Sequence, residues 1–344
     1  MSVSTYAFVN ARIGGMKSRL LEESELRALM ESRNIEELLS QLKNAQYELD
    51  SSNTNVLSIE LQLKKNLFHD YLKLTRFVKG RPSEFIHSMA KRFEVETLKS
   101  LIKLKSLKVN LPEYIIPFGK INQDLIEDLL KADDVVSLIE KLRGTEYFRP
   151  LRKIHQKDEN PLEITETEEL SFENALDNYY FQGVKEAMGR LSKTDKNMIK
   201  RFVGFNIDLS NLLTALRLRG VEEDKNKFYI GGGDTFKLNH FNQVAGLEKL
   251  EWLPEVVPQK FKELINTGLQ KFKETNSLLA FEVVAKKQLL RASRKLFLGS
   301  RFHIGTLVAY LNLKENEISN LIKLIKTKDE FFDTKEIENL LVFV

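Results

Sequence analysis

One ten-residue phrase is written three times in this 344-residue chain: EVETLKSLIK from Glu94 to Lys103, DLSNLLTALR from Asp208 to Arg217, and EISNLIKLIK from Glu317 to Lys326. In each copy an acid opens the phrase, a base closes it, and apolar residues stand one, four and eight steps after the acid. At about 100° per residue those positions fall on one face of an α-helix, with the acid and the base on opposite flanks. Leu209, Leu212, Leu213 and Leu216 share one narrow arc, as do Ile318, Leu321, Ile322 and Ile325. A small polar residue keeps the same register, Thr97, Asn211 and Asn320, so the first copy departs from the Asn of the other two. The opening acids stand 114 and 109 residues apart, and a repeat of that period outranks any local signal in deciding architecture.

A second ladder runs beside the first. Residues 21–47 match 121–147 without a gap, pairing Leu26 with Ile126, Leu29 with Leu129, Ile35 with Val135, Leu38 with Leu138, Leu42 with Leu142 and Tyr47 with Tyr147. Each segment reads as a short helical hairpin, with Ser24 and Asp124 as the expected N-caps. A weaker third copy surrounds Leu238, Phe241 and Val244. Chain length allows two or three domains, and the period predicts three helical modules over 1–110, 111–225 and 226–344.

With 42% hydrophobic and 30% charged residues, only 16 Gly and 7 Pro, the chain reads as folded and nearly all α. It contains no cysteine, which excludes disulfides, thiolate metal sites and cysteine nucleophiles and fits a reducing compartment such as the cytoplasm. Arg12 and Lys17 stand where a secretory leader would need an apolar core, and the longest uncharged stretch, Phe302 to Leu313, is too short to span a bilayer. Any membrane association is therefore expected to be peripheral. The net charge of +4 conceals local blocks: seven acids and no base from Asp158 to Glu173, and seven bases and no acid from Val283 to Lys314. Such blocks make either solvated faces or complementary docking surfaces.

A long helix is expected from Val56 to Lys79, stopped by Arg81-Pro82; another from about Ser171; and the tail EIENLLVFV is expected to pack as a terminal helix. SSNTN at 51–55 reads as a polar break, NLPEYIIPFG at 110–119 as a linker and DENP at 158–161 as a loop. Gly231, Gly232 and Gly233 lack the Lys-Ser/Thr and the preceding strand of a phosphate loop, so they read as a turn into the helix near Leu238, capped by Asp234 or Thr235. The five histidines, His69, His87, His155, His240 and His303, show no metal-ligand spacing, and His303 is expected to pack near a helix start. Asp133-Asp134 and Glu168-Glu169 are adjacent in sequence and cannot share a helix face as a catalytic pair. The basic stretch Lys286, Lys287, Arg291, Arg294, Lys295 and Arg301 has no interleaved aromatics of a nucleic-acid module; an anionic lipid surface or an acidic protein is an equally compatible partner.

Several segments in order resemble the C subunits of archaeal and bacterial V-type (A-type) ATPases, a family that includes the vacuolar d subunits. They are YAFVNARIGGMKSRLL (6–21), LDNYYFQGVKEAM (176–188), DLSNLLTALRLRG (208–220), FYIGGG (228–233) and LVAYLNLKENEISNLIKLIKTK (307–328). The resemblance covers essentially the whole chain; the glycine often found after the last phrase is missing here. It implies an all-α funnel of three similar modules around a pseudo-threefold axis, with no active site, metal or cofactor. It implies, too, a central-stalk rotor component, one copy per complex, seated peripherally on the cytoplasmic face of a proteolipid rotor ring. Central shaft subunits of D and F type would enter its socket, and the assembly would couple proton or sodium transport to ATP synthesis or hydrolysis. No nucleic acid is an expected partner. Asp208, Asn211, Arg217, Glu317, Asn320 and Lys326 are the candidate partner-binding residues: they line the socket, tie modules together, or make caps and ion pairs within a module. The competing class is a helical-repeat adaptor of the solenoid type, which would show a period of about 34 residues.

Overall fold

The computed structural model describes residues 3–44, 47, 49, 55–109, 115, 117–155, 165–298, 300, 302–329, 337, 338 and 340–343. The loop expected at 158–161, and most of the 51–55 break and the 110–119 linker, lie outside those residues. Among the described residues the secondary structure is fifteen α-helices with short 3-10 turns and no strand, so the all-α class holds; a lone bridge joins Phe118 and Ile121.

The helices recur in sets of five. Short helices α1 (Val3–Lys17), α2 (Glu23–Met30) and α3 (Ile35–Asn44) precede the long pair α4 (Val56–Phe77) and α5 (Arg81–Ser106). The next set is α6 (Gln123–Leu130), α7 (Val135–Lys141), α8 (Phe148–His155), α9 (Glu166–Gly189) and α10 (Lys193–Arg217). The last is α11 (Leu238–Ala245), α12 (Leu253–Val256), α13 (Lys262–Thr275), α14 (Leu279–Lys295) and α15 (Gly305–Asp329). The three phrases lie on α5, α10 and α15, and the nine apolar residues at steps one, four and eight are all buried: Val95, Leu98 and Ile102; Leu209, Leu212 and Leu216; Ile318, Leu321 and Ile325. Burying such a side chain contributes about 1.5–3 kcal/mol, so the stripe that defines the repeat also anchors each long helix.

Several helix starts differ from expectation. Ser24 and Asp124 sit inside the first turns of α2 and α6 rather than capping them; the caps are Glu22 and Asn122, both in extended backbone, and Asn122 accepts the Leu125 N–H at 3.0 Å. At α2 the Glu25 carboxylate accepts the Glu22 N–H at 2.7 Å. A cap needs non-helical dihedrals at the helix start; residues 22 and 122 both have them, and the Asn122 side chain also serves the amide three residues on. Likewise α11 is capped at Lys237, whose N–H is taken by His240 Nδ1 at 3.1 Å, and not at Asp234 or Thr235. Helix α9 begins five residues earlier than Ser171, because Thr165 and Glu168 form a capping box. Helix α4 ends at Phe77, two residues short of Lys79. His303 is buried at the start of α15, where its Nδ1 accepts the Gly305 N–H at 3.0 Å.

By its contacts the chain forms two compact units. One comprises residues 84–190 and 221–230, in which α6 packs on α7, α7 on α8 and α8 on α9. The other comprises 1–83, 191–220 and 231–344, in which α15 packs on α4, α1 and α3, α10 on α11, and α14 on α10, α13 and α15. Each unit buries its own phrase helices: α5 in the first, α10 and α15 in the second.

Candidate functional site

The opening acid of every phrase is buried and holds a turn that leads into short helices of the next set. Glu94, 7% exposed, accepts the Tyr147 hydroxyl at 2.5 Å and the Lys120 N–H at 3.1 Å. Asp208, fully buried, accepts the Thr235 N–H at 2.7 Å and the Thr235 hydroxyl at 3.2 Å on one oxygen. Glu317, 4% exposed, accepts the Leu21 N–H, the Tyr47 hydroxyl and, at 2.7 Å, Lys314 Nζ. Lys120 leads into α6, Thr235 into α11 and Leu21 into α2, so α5, α10 and α15 each latch the set that comes next, and the last latches the first. Burying a carboxylate is costly unless its oxygens are paired, and charge-assisted bonds of this kind are about twice as strong as neutral ones.

The closing bases repeat the same cyclic order. Lys103 approaches Glu169 of α9 at 3.9 Å, Arg217 pairs with Glu282 of α14 at 2.8 Å, and Lys326 pairs with Glu60 of α4 at 2.6 Å. Those three acceptors stand 109 and 113 residues apart, a third ladder that the phrases alone do not reveal although its spacing is present in the sequence. The bases are 45–61% exposed, so each pair contributes roughly 0–1 kcal/mol. Glu60 is the most enclosed of the acids; burial opposes its charge, but Lys64 and Lys326 outweigh that and hold its carboxyl below the usual range.

The small polar position is buried throughout, though its partners differ. Thr97 returns its hydroxyl to the Phe93 carbonyl at 2.9 Å, one turn back on α5. Asn320 clamps the tail: its amide donates to the Val342 carbonyl at 3.0 Å and its oxygen accepts the Val342 N–H at 3.1 Å. Residues 337, 338 and 340 are helical, whereas 341–343 leave the helix to meet that clamp, so the tail is only partly the helix expected. Asn211 is fully buried on α10. Of the six candidate partner-binding residues, then, Asp208, Asn211, Glu317 and Asn320 lie inside the fold, while Arg217 and Lys326 are half-exposed in ion pairs.

The three latches are not chemically equal. Tyr147 and Tyr47 supply a phenol to Glu94 and Glu317, and burial first, with the carboxylate beside each, pushes both phenols far above their usual range, so they remain donors. Tyr147 immediately precedes α8; the residue immediately preceding α13 is Phe261, fully buried but without a hydroxyl. Asp208 Oδ1 has no hydrogen-bond partner among the described residues, and burial raises the Asp208 pKa despite the bonds from Thr235 and the Phe236 backbone. A carboxyl whose folded pKa lies above its unfolded value favours folding at low pH and loses that contribution as pH rises through the folded pKa. Asp208→Asn is expected to stabilise the protein at pH 7 by about 1 kcal/mol and to match the parent below about pH 4. Thermal melts at both values check this; an equal gain at both would discard the charge explanation.

Two glycines make room for the acids. A methyl group on Gly119, at φ +53°, would stand 1.9 Å from Glu94 Oε1, and one on Gly233 would stand 1.9 Å from Asp208 Oδ1. The Gly231–Gly233 run is thus part of a latch turn, with the Asp234 N–H also bonded to the Gly204 carbonyl at 3.3 Å. A cleft of about 2070 Å³ in the smaller unit is lined by Lys120, Glu146, Phe148, Arg149, Asn178 and Tyr179 among others. Among the described residues no group of three or more His, Asp or Glu could hold a metal, and no helix is long and apolar enough to cross a membrane.

The fold and its latches define an all-α protein of three recurring helical sets, each tied to the next by a buried acid. The sequence pattern of the family described as ATP synthase (C/AC39) subunit matches residues 9–340, and this chain belongs to that family. It is 27% identical to the A-type ATP synthase C subunit of Methanocaldococcus jannaschii, over 99% of this chain and 87% of that protein. It is 24% identical to the protein of that name from Methanosphaera stadtmanae (99% and 89% covered) and 25% identical to that from Pyrococcus furiosus (93% and 86%).

Proposed function

We propose that this chain is the non-catalytic central-stalk rotor component of an A-type ATP synthase, linking the proteolipid ring to the central shaft subunits of D and F type. It sits as one copy per complex, peripherally, on the cytoplasmic face, as a pseudo-threefold funnel of modules 1–110, 111–225 and 226–344. It turns with ring and shaft, coupling proton or sodium transport to ATP synthesis or hydrolysis. The observation that carries this reading is the family match over 9–340, which takes in all three phrases.

The latches suit such a role. Each ion crossing supplies about 2.3 kcal/mol per 100 mV, more than one exposed ion pair contributes, so torque must pass through a body whose parts do not shear. Asp208, Asn211, Glu317 and Asn320 provide that stiffness from within the fold, and the half-exposed Arg217 and Lys326 are the members of the set left to face a partner.

A tagged pull-down from solubilised membranes tests the reading: ring, shaft and catalytic-head subunits are expected with the bait, and a monomer in both membrane and soluble fractions overturns it. The variant R217E/K326E is expected to lower ATP-driven ion pumping; pumping and assembly both at parental levels would remove these two residues from any coupling role.

A further inference from the structure

Within the larger unit, α1 meets the ends of four helices, α4, α10, α14 and α15. Tyr6 donates to Asp195 at 2.8 Å, and the same carboxylate accepts the Ile304 N–H at 2.9 Å; Thr306 bonds Asn10 at 2.6 Å. The Phe8 ring meets Phe77, at the end of α4, at 6.1 Å; Arg12 lies over both rings; and Lys17 lies 4.6 Å over Phe297, just past α14. This face gathers three stretches of sequence without an acid, 6–21, 71–83 and 283–314, beside the start of α10, whose one acid there, Asp195, is buried and taken up by the bonds just named.

Arg12, Lys17, Arg76, Lys79, Arg81, Arg294 and Lys295 are all exposed there. Among the described residues none of them forms an ion pair. Three of the flanking acids are engaged elsewhere: Asp70 accepts the Tyr310 hydroxyl at 2.5 Å, Glu84 stands 3.8 Å from Arg190, and Glu282 pairs with Arg217 at 2.8 Å. Among these cations protrude apolar side chains that the fold leaves in water: Leu298 at 70% exposure, Phe8 at 53% and Phe302 at 48%. A folded chain gains nothing from exposing a leucine and two phenylalanines beside unneutralised bases. Such a combination matches an interface with phosphate headgroups outside and acyl chains just beneath. An acidic protein would complement the charge but leave the protruding apolar groups unexplained.

We infer that this face binds an anionic lipid surface directly. The bases meet headgroup phosphates while Phe8, Leu298 and Phe302 enter the headgroup boundary. The inference adds a lipid contact to the proposed seat on a membrane ring and is tested without any other subunit, so its failure leaves the rotor reading to the pull-down. The purified full-length chain is sedimented with vesicles of phosphatidylcholine alone and of phosphatidylcholine mixed with phosphatidylglycerol. Binding only to the mixed vesicles is expected, with loss at about 0.5 M salt, where the screening length falls to a few Å. At about five-fold per base, K79Q/R81Q lowers partitioning about twenty-five-fold; L298S/F302S lowers it at unchanged salt sensitivity, and K273Q, on α13, leaves it unchanged. Melting curves equal to the parent show that the variants fold. Equal binding to neutral vesicles, no binding to anionic ones, parental binding by both double variants, or tighter binding to soluble polyglutamate that L298S/F302S does not weaken would overturn the inference, the last in favour of an acidic protein partner.

Discussion

Glu317→Ala is expected to lower the unfolding free energy by about 3–5 kcal/mol, the range for removing one member of a buried charged network. Three donors converge on that carboxylate: Leu21 N–H, the Tyr47 hydroxyl and Lys314 Nζ, which also lies 4.2 Å over the Tyr47 ring. With alanine there, the Lys314 ammonium and the Tyr47 hydroxyl lose their common acceptor in a site where lysine is only 13% exposed. The Leu21 amide, leading into α2, loses its tie to α15 and should exchange its hydrogen much faster. Urea unfolding and hydrogen exchange at Leu21 check this. Tyr47→Phe should cost less, about 1–2 kcal/mol, because the amide and Lys314 bonds survive. A Glu317→Ala midpoint equal to the parent would mean that the latch adds nothing to the packing of α15 on α3 and α4.

Gly119→Ala should cost about 3–5 kcal/mol, from two separate causes: an alanine at φ +53° is strained, and its methyl group would occupy space 1.9 Å from Glu94 Oε1. The second cause ejects the carboxylate from Lys120 and Tyr147 and leaves the phenol buried without an acceptor. Gly144→Ala separates the two contributions, since Gly144 also has positive φ, +96°, but open space around it; its cost should be about 1–2 kcal/mol. Thermal melts of both variants decide the matter, and equal losses would show that the carboxylate moves aside freely.

Much of the helical layout is legible in the residues. The stripes at steps one, four and eight mark α5, α10 and α15 because a period of 3.6 residues leaves one buried face, and all nine stripe positions are buried. The matched hairpins locate α2–α3 and α6–α7 for the same reason. Cap positions at α2 and α6 lie two residues from those expected, since Ser24 and Asp124 are good caps in isolation while Glu22 and Asn122 stand where the chain leaves extended backbone. Backbone direction at a helix start depends on the preceding turn, which Glu317 and Glu94 hold from far along the sequence. The acids themselves stand out by their register, but register on a helix flank does not say whether the flank meets water, a partner or another turn of the same chain. Asp208, Asn211, Glu317 and Asn320 are enclosed.

The sequence alone determined that the chain is helical, that it repeats with a period near 110 residues, and that each long helix carries one apolar stripe between an acid and a base, because periodicity and composition are local properties. Tertiary packing alone settles that each acid latches the helical set after its own, with α15 returning to Leu21 and Tyr47, and that Asp208 Oδ1 is buried without a hydrogen-bond partner among the described residues. Those partners lie 26 to 296 residues away along the chain, and only the packing of whole helices brings their donors within hydrogen-bond distance.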